Sequence, residues 1–162
     1  MSAYYLETSA LLKRYKTELG SEVVAELLDG RRAGDVFATS HFSVLEFNAV
    51  VARMLKGREI RRRQHERLIA TFLRDLRDLD VRVLDVDDAL IDAALGLLPQ
   101  YALRAPDALH VAAAGRFAGN FAPNDLYVVS GDRDIGEACR VYPLRYIDPE
   151  APGALAYVRS LR

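Results

Sequence analysis

The chain has 162 residues, of which 51% are hydrophobic, and this length and apolar content exclude a disordered chain and suit a single domain over residues 1–162. The formal net charge of −1 excludes little about partners, while the single cysteine, Cys139, excludes an internal disulfide and a cysteine-rich metal site. Residues 1–7 do not have the pattern of a signal peptide, and no apolar run approaches a membrane span in length. We therefore expect a cytoplasmic protein with no membrane partner.

Short apolar runs and amphipathic stretches alternate along the chain. The elements predicted in chain order are a strand at 4–6, helices at 8–15 and 21–29, a strand at 36–39, helices at 43–56 and 61–79, a strand at 81–86, a helix at 88–98, a helix opening at Pro106, a strand at 126–129, a short helix at 135–139, a strand at 144–147 and a short terminal helix. Thr8 or Ser9 is expected to cap the first helix, and Pro99 to end the helix that Asp87 caps.

This alternation predicts an α/β fold with a central parallel sheet of about five strands flanked by helices on both faces. Binding sites in such sheets form beyond the carboxyl ends of the strands. Glu7 follows the first predicted strand and Asp132 the fourth. The two carboxylates therefore share one edge of the sheet if those strands are neighbours.

Four acidic residues are the candidate functional groups: Glu7, Glu46, Asp107 and Asp132. Carboxylates gathered at strand ends repel one another and raise each other's pKa, so such a cluster favours a bound cation. Mg²⁺ and Mn²⁺ prefer hard oxygen ligands of this kind. With a metal, the cluster can activate a water molecule and steady the charge of a phosphodiester under attack.

Each acid also has an ordinary structural explanation. Asp107 in the first turn of a helix favours the helix dipole, and Asp132 after Gly131 can shape a turn. Glu46 lies two turns before Arg53 and alone is typical of a solvated or ion-paired helix residue. The joint placement of the four carries more weight than any one of them.

Four short motifs carry a family resemblance: Leu6-Glu7-Thr8-Ser9-Ala10-Leu11, Ser43-Val44-Leu45-Glu46, Asp107-Ala108-Leu109-His110 and Val128-Val129-Ser130-Gly131-Asp132. In this order they resemble the PIN-domain ribonucleases, and specifically the VapC toxins of toxin–antitoxin pairs. The resemblance spans nearly the whole chain and implies a PIN-like α/β/α sandwich.

The resemblance also implies an activity. Glu7, Glu46, Asp107 and Asp132 would be the catalytic quartet that holds Mg²⁺ or Mn²⁺, supported by Thr8, Ser9, Ser130 and Asp134. The implied reaction is metal-dependent hydrolysis of RNA by an endoribonuclease. The implied partners are an RNA substrate, a cognate VapB-like antitoxin that fills the groove, and a second copy of the chain in a homodimer.

The first acid departs from the family pattern, which has Asp where this chain has Glu7. The extra methylene lengthens the reach by about 1.5 Å, and Mg²⁺ demands ligands at about 2.0–2.1 Å. A non-catalytic PIN-fold protein that binds RNA or an antitoxin is therefore a second hypothesis. A phosphoryl-transfer domain with an aspartyl nucleophile is a third, and Glu7 argues against it.

A basic stretch joins two predicted helices and comprises Arg53, Lys56, Arg58, Arg61, Arg62, Arg63 and Arg67. Arg61, Arg62 and Arg63, together with Lys13 and Arg14 close behind Glu7, are the candidate RNA-binding residues. A solvated helical hairpin and a docking surface for an acidic antitoxin tail are the alternatives for the stretch. We expect His110 to make a structural hydrogen bond, since the three histidines show no metal-ligand spacing.

Overall fold

The computed structural model of the protein describes residues 2–142 and 144–161. Its strands are β1 (Ala3–Leu6), β2 (Val36–Ser40), β3 (Val81–Leu84), β4 (Leu126–Val129) and β5 (Arg145–Ile147). They form one sheet in the order β3-β2-β1-β4-β5, and every pairing is parallel. This arrangement confirms the predicted parallel α/β fold.

The helices are α1 (Thr8–Leu12), α2 (Ser21–Asp29), α3 (His41–Lys56), α4 (Arg62–Asp78), α5 (Asp88–Tyr101), α6 (Ala105–Ala118), α7 (Arg133–Ala138) and α8 (Ala154–Ser160), with a 3-10 turn at Cys139–Val141. Across the described residues, no helix combines the length and the apolar character needed to cross a membrane.

The core has two layers because successive side chains of a strand point to opposite faces of the sheet. On β1, Tyr4 and Leu6 are buried in one apolar cluster, which includes residues of α2, α3, α4 and α8. Ala3 and Tyr5 are buried in the other, with residues of α5, α6 and α7. The sheet is thus covered on both sides, as a parallel sheet requires.

Some predicted boundaries were wrong by a turn or less. Pro99 does not end α5, which continues to Tyr101. A proline late in a helix removes only one hydrogen bond, and the last turn is closed when the amide of Ala102 donates to Leu98 O at 3.1 Å. Strand β3 stops at Leu84, and α3 begins at His41 because Ser40 caps it.

The strand order places the candidate site. The chain runs outward from β1 to β3 on one side and from β4 to β5 on the other, so β1 and β4 flank the point where the direction reverses. Ligands of open parallel sheets bind beyond the strand ends at this switch point. Leu6 pairs with Val129, which puts the next residues, Glu7 and Ser130, side by side.

Candidate metal centre

Glu7 lies where β1 passes into α1 and is the N-cap residue of that helix. Its backbone is extended, and its carboxylate accepts from the amide of Ser9 at 3.0 Å, which satisfies a donor that the helix leaves unpaired. The capping residue is therefore Glu7 and not Thr8 or Ser9. Glu7 is buried to 7% exposure, so its charge faces a closed environment.

Two serine hydroxyls hold the Glu7 carboxylate and tie the ends of β1 and β4 together. Ser9 Oγ donates to Glu7 Oε2 at 2.5 Å, and Ser130 Oγ donates to the same oxygen at 3.0 Å. Each hydroxyl also accepts from a backbone amide after β4: Ser9 from Gly131 at 3.1 Å and Ser130 from Asp132 at 3.0 Å. The carboxylate is thus fixed by neutral donors that share a single oxygen.

Glu46 reaches the same region from α3. Its Oε2 accepts from Thr8 Oγ1 at 2.5 Å and lies 2.8 Å from His110 Nε2. Burial alone would raise the pKa of Glu46, but the hydrogen bonds of His110 and Thr8, with the charges of His110 and Arg104, outweigh it and hold the pKa below its usual value. Glu46 is therefore an ionised member of the cluster and not a solvated partner of Arg53.

His110 connects the two glutamates from α6. It is buried to 1% exposure, its Nδ1 is 3.0 Å from the Tyr5 hydroxyl, and its Nε2 is 3.7 Å from Glu7 Oε1. One ligand atom from each of Glu7, Glu46 and His110 lies within 4.8 Å of the other two. The expected structural hydrogen bond of His110 is present at Nδ1, and the other ring nitrogen, Nε2, faces both carboxylates.

No spacing in the sequence marks His110 as a metal ligand, because its partners lie 64 and 103 residues away along the chain. Its spacing from Asp107 on one helix was the available clue. Tyr5 was recognisable only as an apolar strand residue.

Asp107 and Asp132 form the other half of the site, and one arginine joins them. Arg104 Nε donates to Asp107 Oδ2 at 2.8 Å, while a terminal nitrogen lies 3.3 Å from Asp107 Oδ1 and 2.9 Å from Asp132 Oδ2. The pKa of Arg104 is raised, first by its hydrogen bond to Asp107. Arg104 was not predicted, although its position three residues before Asp107 was a usable helical signal.

Asp134, the remaining acidic candidate, is exposed on α7. Its amide donates to Asp132 Oδ1 at 2.9 Å, so Asp134 helps to orient Asp132 through its backbone.

The predicted basic residues fall into two groups. Lys13 is buried, and its ammonium pairs with Glu18 at 3.1 Å and Glu150 at 2.6 Å. Arg14 pairs with Asp29 at 2.6 Å. The ion pair with Glu150, 137 residues away, could not be read from the sequence. Lys13 is thus placed in a structural ion pair and not on an open RNA surface.

Arg61, Arg62 and Arg63 are exposed where α4 begins, and none of them takes part in a salt bridge within residues 2–142 and 144–161. Arg53 lies nearer the acids. It lines a cavity of about 250 Å³ together with Glu7, Thr8, Ser9 and Glu46. The acidic site is therefore open to solvent on the side where a basic residue stands.

Comparison with known proteins identifies the family of this chain. A sequence model of the PIN domain matches residues 4–141, which include every acid of the cluster. None of the curated proteins compared with the chain matches it.

Solved structures with a similar fold include a toxin–antitoxin complex from Klebsiella pneumoniae, which is 12% identical with a TM-score of 0.54, covering 87% of this chain and 94% of that one. FitAB bound to an IR36 DNA fragment is 18% identical with a TM-score of 0.67, and the match covers 92% of this chain and 96% of that one. VapBC-1 from nontypeable Haemophilus influenzae is 14% identical with a TM-score of 0.63, covering 92% and 99%. VapBC2 from Rickettsia felis, bound to a promoter DNA fragment, is 17% identical with a TM-score of 0.59, covering 89% and 96%. At these identities the likeness concerns the fold.

Proposed function

This chain belongs to the PIN domain family, and from that premise we propose that it is a metal-dependent endoribonuclease, the toxin of a VapBC-type toxin–antitoxin pair. One observation carries the proposal. Glu7, Glu46, Asp107 and Asp132, which come from four separate segments, are linked by short contacts at the switch point of the sheet. A core does not need four carboxylates there, whereas a cation site does.

The donor set fits a divalent ion. Glu7 Oε1 is not the oxygen that Ser9 and Ser130 hold, and it faces Glu46 Oε2 and His110 Nε2. Carboxylate oxygens suit Mg²⁺ and Mn²⁺, and an imidazole nitrogen adds a preference for a transition ion such as Mn²⁺. Asp107 and Asp132 would complete the oxygen set.

A divalent ion held there would supply an activated water and neutralise charge on the phosphate under attack. The residues of the chain do the positioning. Ser9 and Ser130 fix the rotamer of Glu7, while Thr8 and His110 fix that of Glu46. Preorganised ligands of this kind need no rearrangement when the ion arrives.

The structure also suggests why Glu7 can stand where the family has Asp. Its longer side chain places Oε2 within reach of Ser9 and Ser130, which restrain it, and so removes the freedom that the extra methylene would add. The restraint supports activity of the native chain. A catalytically weakened PIN-fold protein that binds RNA or an antitoxin remains the second candidate, and Glu7 is the observation that favours it.

The partners follow from the site and its surroundings. The antitoxin is proposed because a solved structure with a similar fold is a toxin–antitoxin complex from Klebsiella pneumoniae. The homodimer is proposed because Ile91 and Leu95 leave α5 with exposed apolar side chains, at 40% and 57%, that a second copy would cover. RNA is proposed as substrate because the exposed Arg53 lines the open cavity that also contains Glu7 and Glu46.

The decisive experiment is cleavage of a mixed RNA pool with Mg²⁺ or Mn²⁺ by the native chain, Glu7→Asp and Asp107→Asn. Metal-dependent cleavage by the native chain that Asp107→Asn lowers by at least about a hundredfold supports the nuclease. Activity in Glu7→Asp alone would support the weakened protein. If none of the three proteins cleaves RNA although each still binds it, the result would contradict the nuclease and favour the RNA-binding protein.

The arginines at the start of α4 provide a separate test of RNA contact. Reversing both charges, in Arg62→Glu with Arg63→Glu, is expected to weaken RNA binding and lower its dependence on salt, because each phosphate contact releases counterions. The control is Arg77→Glu with Arg74→Glu near the end of the same helix. Equal loss in both pairs of variants would show a general charge effect and contradict a local RNA surface.

A further inference from the structure

Arg104 occupies two of the proposed metal ligands. Its guanidinium contacts both oxygens of Asp107, at 2.8 and 3.3 Å, and one oxygen of Asp132 at 2.9 Å. A planar guanidinium matches a carboxylate in this two-point manner, which a lysine ammonium cannot do. The arginine thus stands between the two carboxylates as their shared counter-cation.

A divalent ion and Arg104 make competing demands on these carboxylates. An ion at about 2.0–2.1 Å from one of these carboxylate oxygens shares that oxygen with the guanidinium, which already uses one of its lone pairs. It also places a double positive charge beside the single charge of Arg104, and like charges repel. Arg104 must therefore loosen or leave at least part of this contact when the ion binds Asp107 and Asp132.

We infer that Arg104 competes with the divalent ion for Asp107 and Asp132 and so sets the metal concentration at which the site is loaded. The inference deepens the proposed function and rests on its metal site. In the metal-free protein the arginine neutralises the two carboxylates that would otherwise repel. On loading it is displaced and leaves a free guanidinium at the rim of the site.

The exposure of the arginine fits this exchange. The Arg104 side chain is 71% exposed, so it can turn into water without opening the core. Lys13 shows the opposite arrangement. Its side chain is 3% exposed between Glu18 and Glu150, and a buried cation in that position has no solvated alternative. Arg104 is thus built as a replaceable cation and Lys13 as a permanent one.

The position of Arg104 also limits what else it does for the fold. It is the N-cap residue of α6, but its side chain makes no capping hydrogen bond to that helix. Its recorded side-chain partners within the described part of the chain are the two aspartates. Removing the guanidinium therefore tests the exchange with little expected damage to the helix.

The test is calorimetric titration of the chelator-treated full chain with Mn²⁺, which reports on metal binding without any need for RNA. Arg104→Gln removes the competing charge, and Arg133→Gln is the matched control. Arg133 is exposed directly after Asp132 and makes no recorded salt bridge in the described residues, so its loss changes local charge without freeing a carboxylate. Asp107→Asn identifies which heat of binding belongs to the site.

Competition predicts that Arg104→Gln lowers the Kd for Mn²⁺ on the order of fivefold relative to the native chain, while Arg133→Gln changes it by less than about twofold. A raised Kd in Arg104→Gln would overturn the inference, because it would mean that the arginine orients Asp107 for the metal. Equal changes in both variants would also overturn it as a plain charge effect. In either case Mn²⁺ binding by the native chain would leave the proposed metal site standing.

The Nε–H resonance of Arg104 gives a second readout. Competition predicts that this signal, assigned by its loss in Arg104→Lys, shifts when Mg²⁺ is added to the native chain. No shift at saturating Mg²⁺ would overturn the exchange. Absence of any metal binding in the native chain and in Arg104→Gln would overturn the inference together with the metal-dependent function.

Discussion

The two halves of the acidic site are built by different means. The half formed by Glu7, Glu46 and His110 is held by hydroxyls, a backbone amide and an imidazole, all of them part of the folded framework. The half formed by Asp107 and Asp132 is bridged by the exposed guanidinium of Arg104. One half is preorganised by groups of the folded framework, and the other is held by an exposed cation that can leave.

This difference suggests a division of labour within the site. The hydroxyls and the backbone amide that donate to Glu7 fix its geometry without cancelling its charge, so Glu7 keeps its attraction for an ion. A counter-cation cancels charge and protects the metal-free protein from carboxylate repulsion, but the ion must then displace it. The rigidity of the site and the exchange of its counter-cation for a metal therefore depend on different residues, so substitutions can separate the two effects.

The largest expected effect on stability lies in the preorganised half. His110→Leu is expected to lower the free energy of unfolding by about 3 kcal/mol, because the buried Tyr5 hydroxyl and Glu46 each lose one hydrogen-bond partner. Urea unfolding in the presence of a chelator measures it. Tyr5→Phe, which removes one end of the same contact, should cost less. A change no larger than that of Arg104→Gln would mean that the two halves do not differ in rigidity.

How far the sequence predicts this site depends on how local each contact is. Glu7 and Asp132 were placed at one sheet edge because parallel strands end together, and the pairing of β1 with β4 confirms that neighbourhood. Pairing of Glu46 with His110 depends on how α3 and α6 approach each other, which no pattern within either helix specifies.

The ion pairs between charged side chains are the part of the site that is hardest to predict from the sequence. The alternation of strands and helices predicted that helices cover both faces of the sheet, but the burial of Lys13 depends on Glu150 in the segment before α8. Arg104 lies within one helical turn of Asp107, yet only the fold adds Asp132 as its second partner. Ion pairs across the chain follow from tertiary packing, which composition and periodicity do not encode directly.

A medium effect is expected where the two halves meet, at Ser130. Its hydroxyl donates to Glu7 and accepts from the amide of Asp132, and the residue is fully buried. Ser130→Ala is expected to lower the free energy of unfolding by about 1–2 kcal/mol and to weaken Mn²⁺ binding several-fold. Denaturant unfolding and calorimetric titration measure the two quantities.

Ser43→Ala is the matched control for Ser130→Ala. Ser43 is an equally buried serine whose hydroxyl contacts the hydroxyls of Ser40 and Tyr5 and no carboxylate among the described residues. It should cost comparable stability and leave Mn²⁺ affinity unchanged. If both variants weakened Mn²⁺ binding alike, the hydroxyl of Ser130 would not link the halves in any specific way.

The smallest expected effect on stability comes from an arginine–aspartate pair that lies outside the proposed metal site. Arg116 contacts both oxygens of Asp87, at 2.6 and 3.1 Å, in an arrangement like that of Arg104 with Asp107. The hydrogen bond from Arg116 is the main cause that lowers the pKa of Asp87 below 3.8. A lowered pKa stabilises the folded state above pH 3.8, and this contribution is lost as the pH falls through the folded-state value. Asp87→Asn should therefore make the free energy of unfolding slightly less dependent on pH in the acidic range. Urea unfolding at pH 5 and below measures this dependence.

The same pair separates the effect of a metal from the general behaviour of arginine–aspartate contacts. Added Mg²⁺ should leave the guanidinium signals of Arg116 in place while that of Arg104 moves, because Asp87 and its acidic neighbours Asp85 and Asp88 are exposed to water, where Mg²⁺ keeps its hydration shell. If both signals moved together, the response of Arg104 would reflect screening of exposed ion pairs by divalent salt. If only Arg104 responded, the response would be localised to the pair that joins Asp107 to Asp132, which is what distinguishes a replaceable counter-cation from an ordinary surface salt bridge.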